Sequence, residues 1–197
     1  MSNQRNISVS QSDEEGDTDN GLEIGGIGHE ILVSRIEIEE IFDQEILHIL
    51  VYWHTKRSSK IMPARSDINP LDMGRYLSKI MLIDVLPEYP HFRYRVFGTR
   101  IAEWVKFDAT GKTVESINPR RYRKMLFATY MECVGARQPI VHRIKWDNDD
   151  FPHRYKRVIL PLSSDGKHVD MLLIMSAVED IRVAEKYWST NDRFTRY

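Results

Sequence analysis

The residue types that carry most catalytic and ligand chemistry are few in this chain and stand apart. His29, His48, His54, His91, His142, His153 and His168 occur singly, without the spacing that brings two metal ligands to one face, as in His-Glu-x-x-His. His48 and His54 are six positions apart and would leave a helix on different sides. Cys133 is the one cysteine, which excludes a disulfide framework and a cysteine-based zinc cluster. With Glu132 and Val134 beside it on an apolar helical period, it reads as a buried structural thiol. No Gly-x-Ser-x-Gly nucleophile turn occurs, and Gly111-Lys112-Thr113 has the tail of a phosphate loop without its upstream glycine. The expectation is a protein that is not an enzyme and holds no metal.

Binding chemistry is better represented. Tyr94, Trp104, His142, Trp146 and Met171 bring polar or polarisable groups to otherwise apolar faces, as the lining of a small-molecule site does; the alternative is that they simply fill the core. His142 shares a strand face with Ile140, Ile144 and Trp146, and its charged form would make such a site pH-sensitive near the ordinary imidazole value of about 6.5. Arg95, also a candidate for the pocket, has apolar neighbours and a structural carboxylate partner within reach in Asp84 or Asp67. Arg65 and Asp67 lie in a proline-bounded loop that they would pin to the sheet. Arg120, Arg121, Arg123 and Lys124 crowd a helix start, with Arg154, Lys156 and Arg157 further on. Cations there oppose the helix dipole and call for something anionic: phosphate, an acidic segment or a protein. A nucleic-acid-contacting regulator built on this cluster is the alternative function, ranked below a solvated face and a protein partner.

The elements that must position these residues follow from pattern. The chain has 197 residues, 42% hydrophobic and 29% charged, with formal net charge −1, which argues against a nucleic-acid binder by bulk charge. Residues 1–40 hold ten acids against Arg5 and Arg35, so the rest of the chain is basic. Residues 1–35 read as a disordered acidic tail and a glycine-containing linker, and no stretch suits a secretion signal or a membrane span. Ile38, Phe42, Ile46, Ile49 and Trp53 recur at helical spacing, predicting an amphipathic helix within 36–60 whose stripe needs a partner, either its own domain or a second copy. Residues 79–86 and 91–98 read as a hairpin, with Gly98 supplying conformational freedom and Thr99 capping the helix that follows. Residues 120–136 read as a helix after Asn118-Pro119, and three antiparallel strands close a domain at 61–180. Pro161 argues for an edge or a bulge, whereas 168–180, apolar on both faces, reads as a central strand. Residues 181–197 form a partly helical tail.

Two strands, helices and three strands is the element order of the PAS fold. Pro63, Arg65, Asp67, Pro70, Asp84, Val85, Tyr94, Arg95, Gly98, Thr99, Asp108, Thr110 and Gly111 resemble the spaced motifs of a family of small PAS-like proteins common in alphaproteobacteria. The resemblance spans about 43–180 and implies an α+β, PAS-like fold: a five-stranded antiparallel sheet with helices packed on one face, plus the N-terminal amphipathic helix. It also implies a cytoplasmic sensory or regulatory module. Residues 119–136 lack the histidine that haem-binding relatives use, and Cys133 lacks the surroundings of a flavin-reactive or chromophore-bearing cysteine. Haem, flavin and an attached chromophore are therefore disfavoured, and the cofactor stays unknown. What remains is a small organic ligand or none. With few residues after 180, the signal is expected to pass to another signalling protein or a second copy, through the helix at 38–57.

Overall fold

The computed structural model describes residues 6–7, 31–88, 91–148 and 151–178, with side chains for 31–88, 91–145 and 154–178. The remaining parts of the expected acidic tail and C-terminal tail lie outside the described residues. Among the described residues, seven strands form one antiparallel sheet: β1 (Asn6–Ile7), β2 (Ile31–Ile36), β3 (Ile80–Val85), β4 (Phe92–Phe97), β5 (Ile140–Asn148), β6 (Phe151–Leu162) and β7 (Met171–Val178), in the order β1-β2-β5-β6-β7-β3-β4. The described residues also form four α-helices: α1 (Gln44–Arg57), α2 (Pro70–Met73), α3 (Thr99–Val105) and α4 (Arg120–Ala136). The strands expected from sequence are β3 to β7, and β7 is central as its two-sided apolar pattern requires.

The sheet extends beyond the five expected strands. Ile31–Ile36, read from sequence as linker up to Arg35 and as helix from Ile36, pairs along its whole length with β5, burying Ile31, Val33 and Ile36 and turning Leu32 and Arg35 outward. The alternation is that of a half-buried strand, and the pairing covers an edge of β5 that would otherwise be open.

The predicted N-terminal helix begins later than its apolar spacing suggested. Ile38–Glu40 is a single 3-10 turn. Asp43 then starts α1, its carboxylate accepting the amides of Glu45 (3.0 Å) and Ile46 (3.3 Å), which meets two donors that a helix start leaves without partners. Phe42 is 84% exposed and Ile38 43%, whereas Ile46, Ile49 and Trp53 are buried in the core. Of the two partners open to the stripe, Ile46, Ile49 and Trp53 meet the chain's own sheet, which leaves Ile38 and Phe42 as the exposed members of the proposed interaction helix.

The two sheet faces carry different helices. Neighbouring residues of β6 point in opposite directions. Lys156 reaches Asp43 at the start of α1 (3.8 Å), whereas Tyr155 and Arg157 bond to Tyr122 of α4. α1 therefore covers one face and α4 the other, which is why Val158 through Leu162 are all buried.

Pro161 pairs with Leu172 of β7 on one side only, so it stands at a local edge of the sheet, one of the two placements expected from sequence. Pairing of β6 with β5 ends at Ile159, so the side of β6 that would need the missing N–H of Pro161 has lost its neighbouring strand. Its carbonyl on that side accepts the Trp53 indole N–H at 2.9 Å. A proline is tolerated where no ladder bond is lost.

Gly98 has φ −56° and ψ 136°, a conformation open to any residue. Conformational freedom is therefore not the reason for a glycine here. A Cβ would stand 2.7 Å from the Ile80 carbonyl oxygen and close against that of Ser78. Gly98, not Thr99, is the N-cap residue of α3. Beyond it, the outer edge of β4 is occupied by a turn: Gly111 N–H donates to Tyr94 O (2.7 Å), Tyr94 N–H to Lys112 O (2.9 Å), and Arg93 bridges Thr113. Among the described residues, no helix is long and apolar enough to cross a membrane.

Candidate ligand site

The polar centre of the core lies where α3 and α4 pack over β4 and β6. Tyr155 and Arg157, two apart on β6, share the face toward α4. Arg157 is 4% exposed. Its Nη2 donates to Tyr155 Oη at 2.9 Å and Tyr122 Oη at 3.0 Å, and those two hydroxyls share a hydrogen bond of 2.8 Å. Tyr94 and Tyr130 meet hydroxyl to hydroxyl at 3.3 Å, and the Trp104 ring stands edge-on to Tyr155 at 5.3 Å. Nε and Nη1 of Arg157 are buried with no hydrogen-bond partner.

The charges in this cluster do not cancel. Burial raises the hydroxyl pKa of Tyr94, Tyr130 and Tyr155 above the ordinary tyrosine value, so these phenols stay neutral at physiological pH. Burial pulls the Arg157 pKa down while the tyrosine oxygens push it up, and the balance is upward. The result is a buried cation surrounded by dipoles. Among the described residues, no carboxylate pairs with it.

His142 belongs to a neighbouring arrangement on β5. It is buried, and Nε2 lies 2.9 Å from Glu132 Oε2 on α4, whose other oxygen meets Arg35 of β2 at 3.3 Å. The Nδ1 atom is buried without a partner. The His142 hydrogen bond holds the Glu132 carboxyl below the usual carboxylate range, against partial burial that acts the other way, with the nearby charges of His142 and Arg35 adding to the lowering. A carboxylate whose folded pKa lies below its unfolded one stabilises the fold above the unfolded value, and that contribution is lost as pH falls through the folded value. The melting temperature should therefore drop as pH falls below about 4.5, the ordinary glutamate value. Glu132→Gln should flatten this part of the profile and lower stability at pH 7 by about 1 kcal/mol. Melts at pH 7, 5 and 3.5 measure both; an unchanged slope in the variant would refute the assignment.

The other candidates fall apart in space. Arg95 turns away from the cluster: its guanidinium is 56% exposed and its Nε meets Asp84 at 2.7 Å, beside Arg93 at 3.1 Å. The Asp84 pair read from sequence is present, with the carboxylate buried and both cations at the surface. Met171 lies five positions from Ser176, which stands opposite Arg157 in the β6–β7 register; strand alternation puts it on the α1 face. Trp146 stands opposite His153 and Ile31 in the ladders, and its side chain lies outside those described. Asp67 accepts the Ala64 amide and meets Lys60, and Arg65 donates to Ile68 O, so both brace their own loop. Within the basic cluster, Arg123 is committed to Glu115 and to the carbonyls of Glu115 and Ile117.

Arg157, counted from sequence within the basic cluster, was not among the pocket candidates read from sequence, nor were Tyr122, Tyr130 and Tyr155. The signal for Arg157 was a charge between Tyr155 and Ile159 on one face of an apolar strand.

Cys133 lies in the core, its thiol 3.6 Å from the carbonyls of Gln138 and Ile159. Burial, aided by the charge of Glu132, pushes its pKa far up. A thiol reagent at pH 8 should label the native protein about 100-fold more slowly than the urea-unfolded chain; labelling at equal rates would contradict this placement.

A groove of about 510 Å³ opens elsewhere, lined among others by Arg35, Glu37, Glu39, His54, Arg57 and Arg137. It carries charges of both signs, and none of the tyrosines above lines it. The cluster around Arg157 is the stronger candidate: among the described residues, Arg157 is the fully buried cation with unpartnered nitrogens, whereas Arg57 in the groove, whose Nε is also buried without a partner, is partly exposed.

The model of the PAS domain family matches residues 42–175, more than half of the chain. No curated protein matches it. The matched span begins just before α1 and ends within β7, enclosing all four helices and the strands that carry the tyrosine–arginine cluster. The chain belongs to the PAS domain family, whose members act as sensory and regulatory modules.

Proposed function

We propose that this protein is a non-catalytic, cytoplasmic sensory module that reads a small molecule between the sheet and α3/α4. It passes that state to a protein partner, either a second copy or another signalling protein. The observation that carries the reading is the cluster of Tyr94, Tyr122, Tyr130, Tyr155 and a buried, charged Arg157 with two unpartnered nitrogens in a largely apolar core. Buried polar side chains at the centre of a domain destabilise it unless something satisfies them, and a ligand pocket is where such a cost is ordinarily tolerated. For the partner contact, Phe42 at 84% exposure and Leu71 at 85% supply apolar surface outside the core.

Native mass spectrometry of the purified protein, compared with its denatured mass, tests both halves. An added few hundred daltons lost on denaturation supports the ligand, and a doubled mass supports self-association. A bare monomer that also takes up no compound from a metabolite extract would overturn the sensory reading.

A further inference from the structure

We propose that the groove of about 510 Å³, at the end of the sheet where β2 stops and β5 begins, is a second binding site, for a zwitterion with an apolar body: a free α-amino acid of the leucine type. None of the tyrosines of the Arg157 cluster lines it, so a ligand of that cluster would occupy a different place. The volume lies within the range of about 300–1,000 Å³ usual for small-molecule sites.

Two uncommitted cations line the groove. Arg57 is the last residue of α1, and Arg137 follows the last residue of α4. Helix C-termini favour positive charge, which accounts for the residue type but leaves the guanidinium donors open. Among the described residues, neither guanidinium makes a hydrogen bond or an ion pair; that of Arg57 stands 5.9 Å from the centre of the Trp53 ring. The Arg57 Nε is buried without a partner and the two Nη groups are not buried, so a ligand meets Arg57 through Nη1 and Nη2. Those two donors can grip the two oxygens of one carboxylate side by side. Arg35, also in the lining, is taken by Glu132. His54 adds no charge at pH 7, since partial burial and the Arg57 charge hold its pKa below the ordinary imidazole value.

Two carboxylates line the same space. Glu37 and Glu39 lie in the turn that follows β2, and among the described residues neither side chain has a hydrogen bond or an ion pair. An anion alone would meet these acids, and a cation alone would meet the arginines. A zwitterion is complementary to both sets, its carboxylate at Arg57 and Arg137 and its ammonium at Glu37 and Glu39. Ile36, Ile38 and Ile61 in the lining suit a branched apolar side chain.

The test is calorimetric titration of the full chain with L-leucine and three fragments of it: isocaproate, which lacks the ammonium group, isoamylamine, which lacks the carboxylate, and glycine, which lacks the side chain. Saturable binding of leucine, about tenfold or more tighter than of any fragment, is expected. Arg137→Gln, at an exposed side chain, should lower leucine affinity about tenfold or more in a folded protein, and Arg57→Gln should do the same. Glu39→Gln should weaken leucine binding and tighten isocaproate binding, because it removes a repulsion that only the bare acid meets uncompensated. A merely structural role for Glu39 would move both affinities the same way.

Isocaproate or isoamylamine binding as tightly as leucine would overturn the zwitterion assignment, and glycine doing so would overturn the apolar body. No binding of leucine, or wild-type affinity in both arginine variants, would overturn the site itself. A molecule held by the Arg157 cluster would appear in the native mass of these variants as in that of the parent, so the sensory reading fails or holds separately.

Discussion

Ile49→Glu should abolish cooperative folding. Ile49 is fully buried on α1 against the sheet, so the substitution forfeits about 2–3 kcal/mol of apolar burial. It also places a carboxyl group where it must either remain charged without a partner or take up a proton. Each unit by which its pKa must rise adds about 1.4 kcal/mol, and the combined loss exceeds about 4 kcal/mol. That is comparable with the whole stability of an ordinary domain. Ile46→Glu, at an equally buried position, should behave alike. Phe42→Glu, at a side chain 84% exposed, should change stability by no more than about 0.5 kcal/mol. Circular dichroism melts and light scattering on all three variants separate a core helix from an interface helix. Should Ile49→Glu melt as the parent does and merely halve the mass in solution, α1 would be an interface and its packing against the sheet would be refuted.

Gly98→Ala should destabilise the protein by about 3 kcal/mol, near the upper end of what overpacking ordinarily costs. Two effects oppose each other. Alanine restricts the unfolded chain and should thereby stabilise by about 0.4–1 kcal/mol at a backbone conformation it accepts without strain, as the φ and ψ here allow. Against this stands a Cβ 2.7 Å from the Ile80 carbonyl oxygen. That atom belongs to the main chain at the start of β3 and cannot swing aside as a side-chain tip would. The clash wins, and the melting temperature should fall by about 10 °C. A change of less than 2 °C would show that β3 yields freely there.

Much of the fold was legible because its signals are local. Residues 120–136 carry an apolar period from Tyr122 to Cys133, and α4 has those bounds. The central position of β7 followed from residues apolar on both faces. What escaped were features decided by distant partners. Ile31–Ile36 is short and follows a glycine-rich stretch; its strand character becomes decisive only beside β5, more than a hundred residues away. The start of α1 escaped for another reason. Apolar spacing runs from Ile38 through Phe42 without a break, and only the capping group of Asp43 marks the true beginning.

The candidate site was legible in part. Tyr94 and Trp104 were found because polar groups on apolar faces stand out. Arg157 was lost among the neighbouring cations of a basic segment, since composition does not say that Lys156 and Arg157 face different helices. Alternation along the strand does.

The turn lying along β4 limits how this protein can meet others. A strand at the edge of a sheet ordinarily presents free amides and carbonyls to which a foreign strand can add, giving either a partner complex or an aggregate. Here the amide and carbonyl of Tyr94 are already bonded to Lys112 and Gly111, and the half-exposed Arg93 and Arg95 on either side of it in sequence pair with Asp84 of β3. At Tyr94 and Arg93 this edge is covered by the chain's own backbone. Recognition on this side of the molecule must proceed through side chains and surface shape, and the domain is guarded there against the stacking of one copy's sheet onto another's.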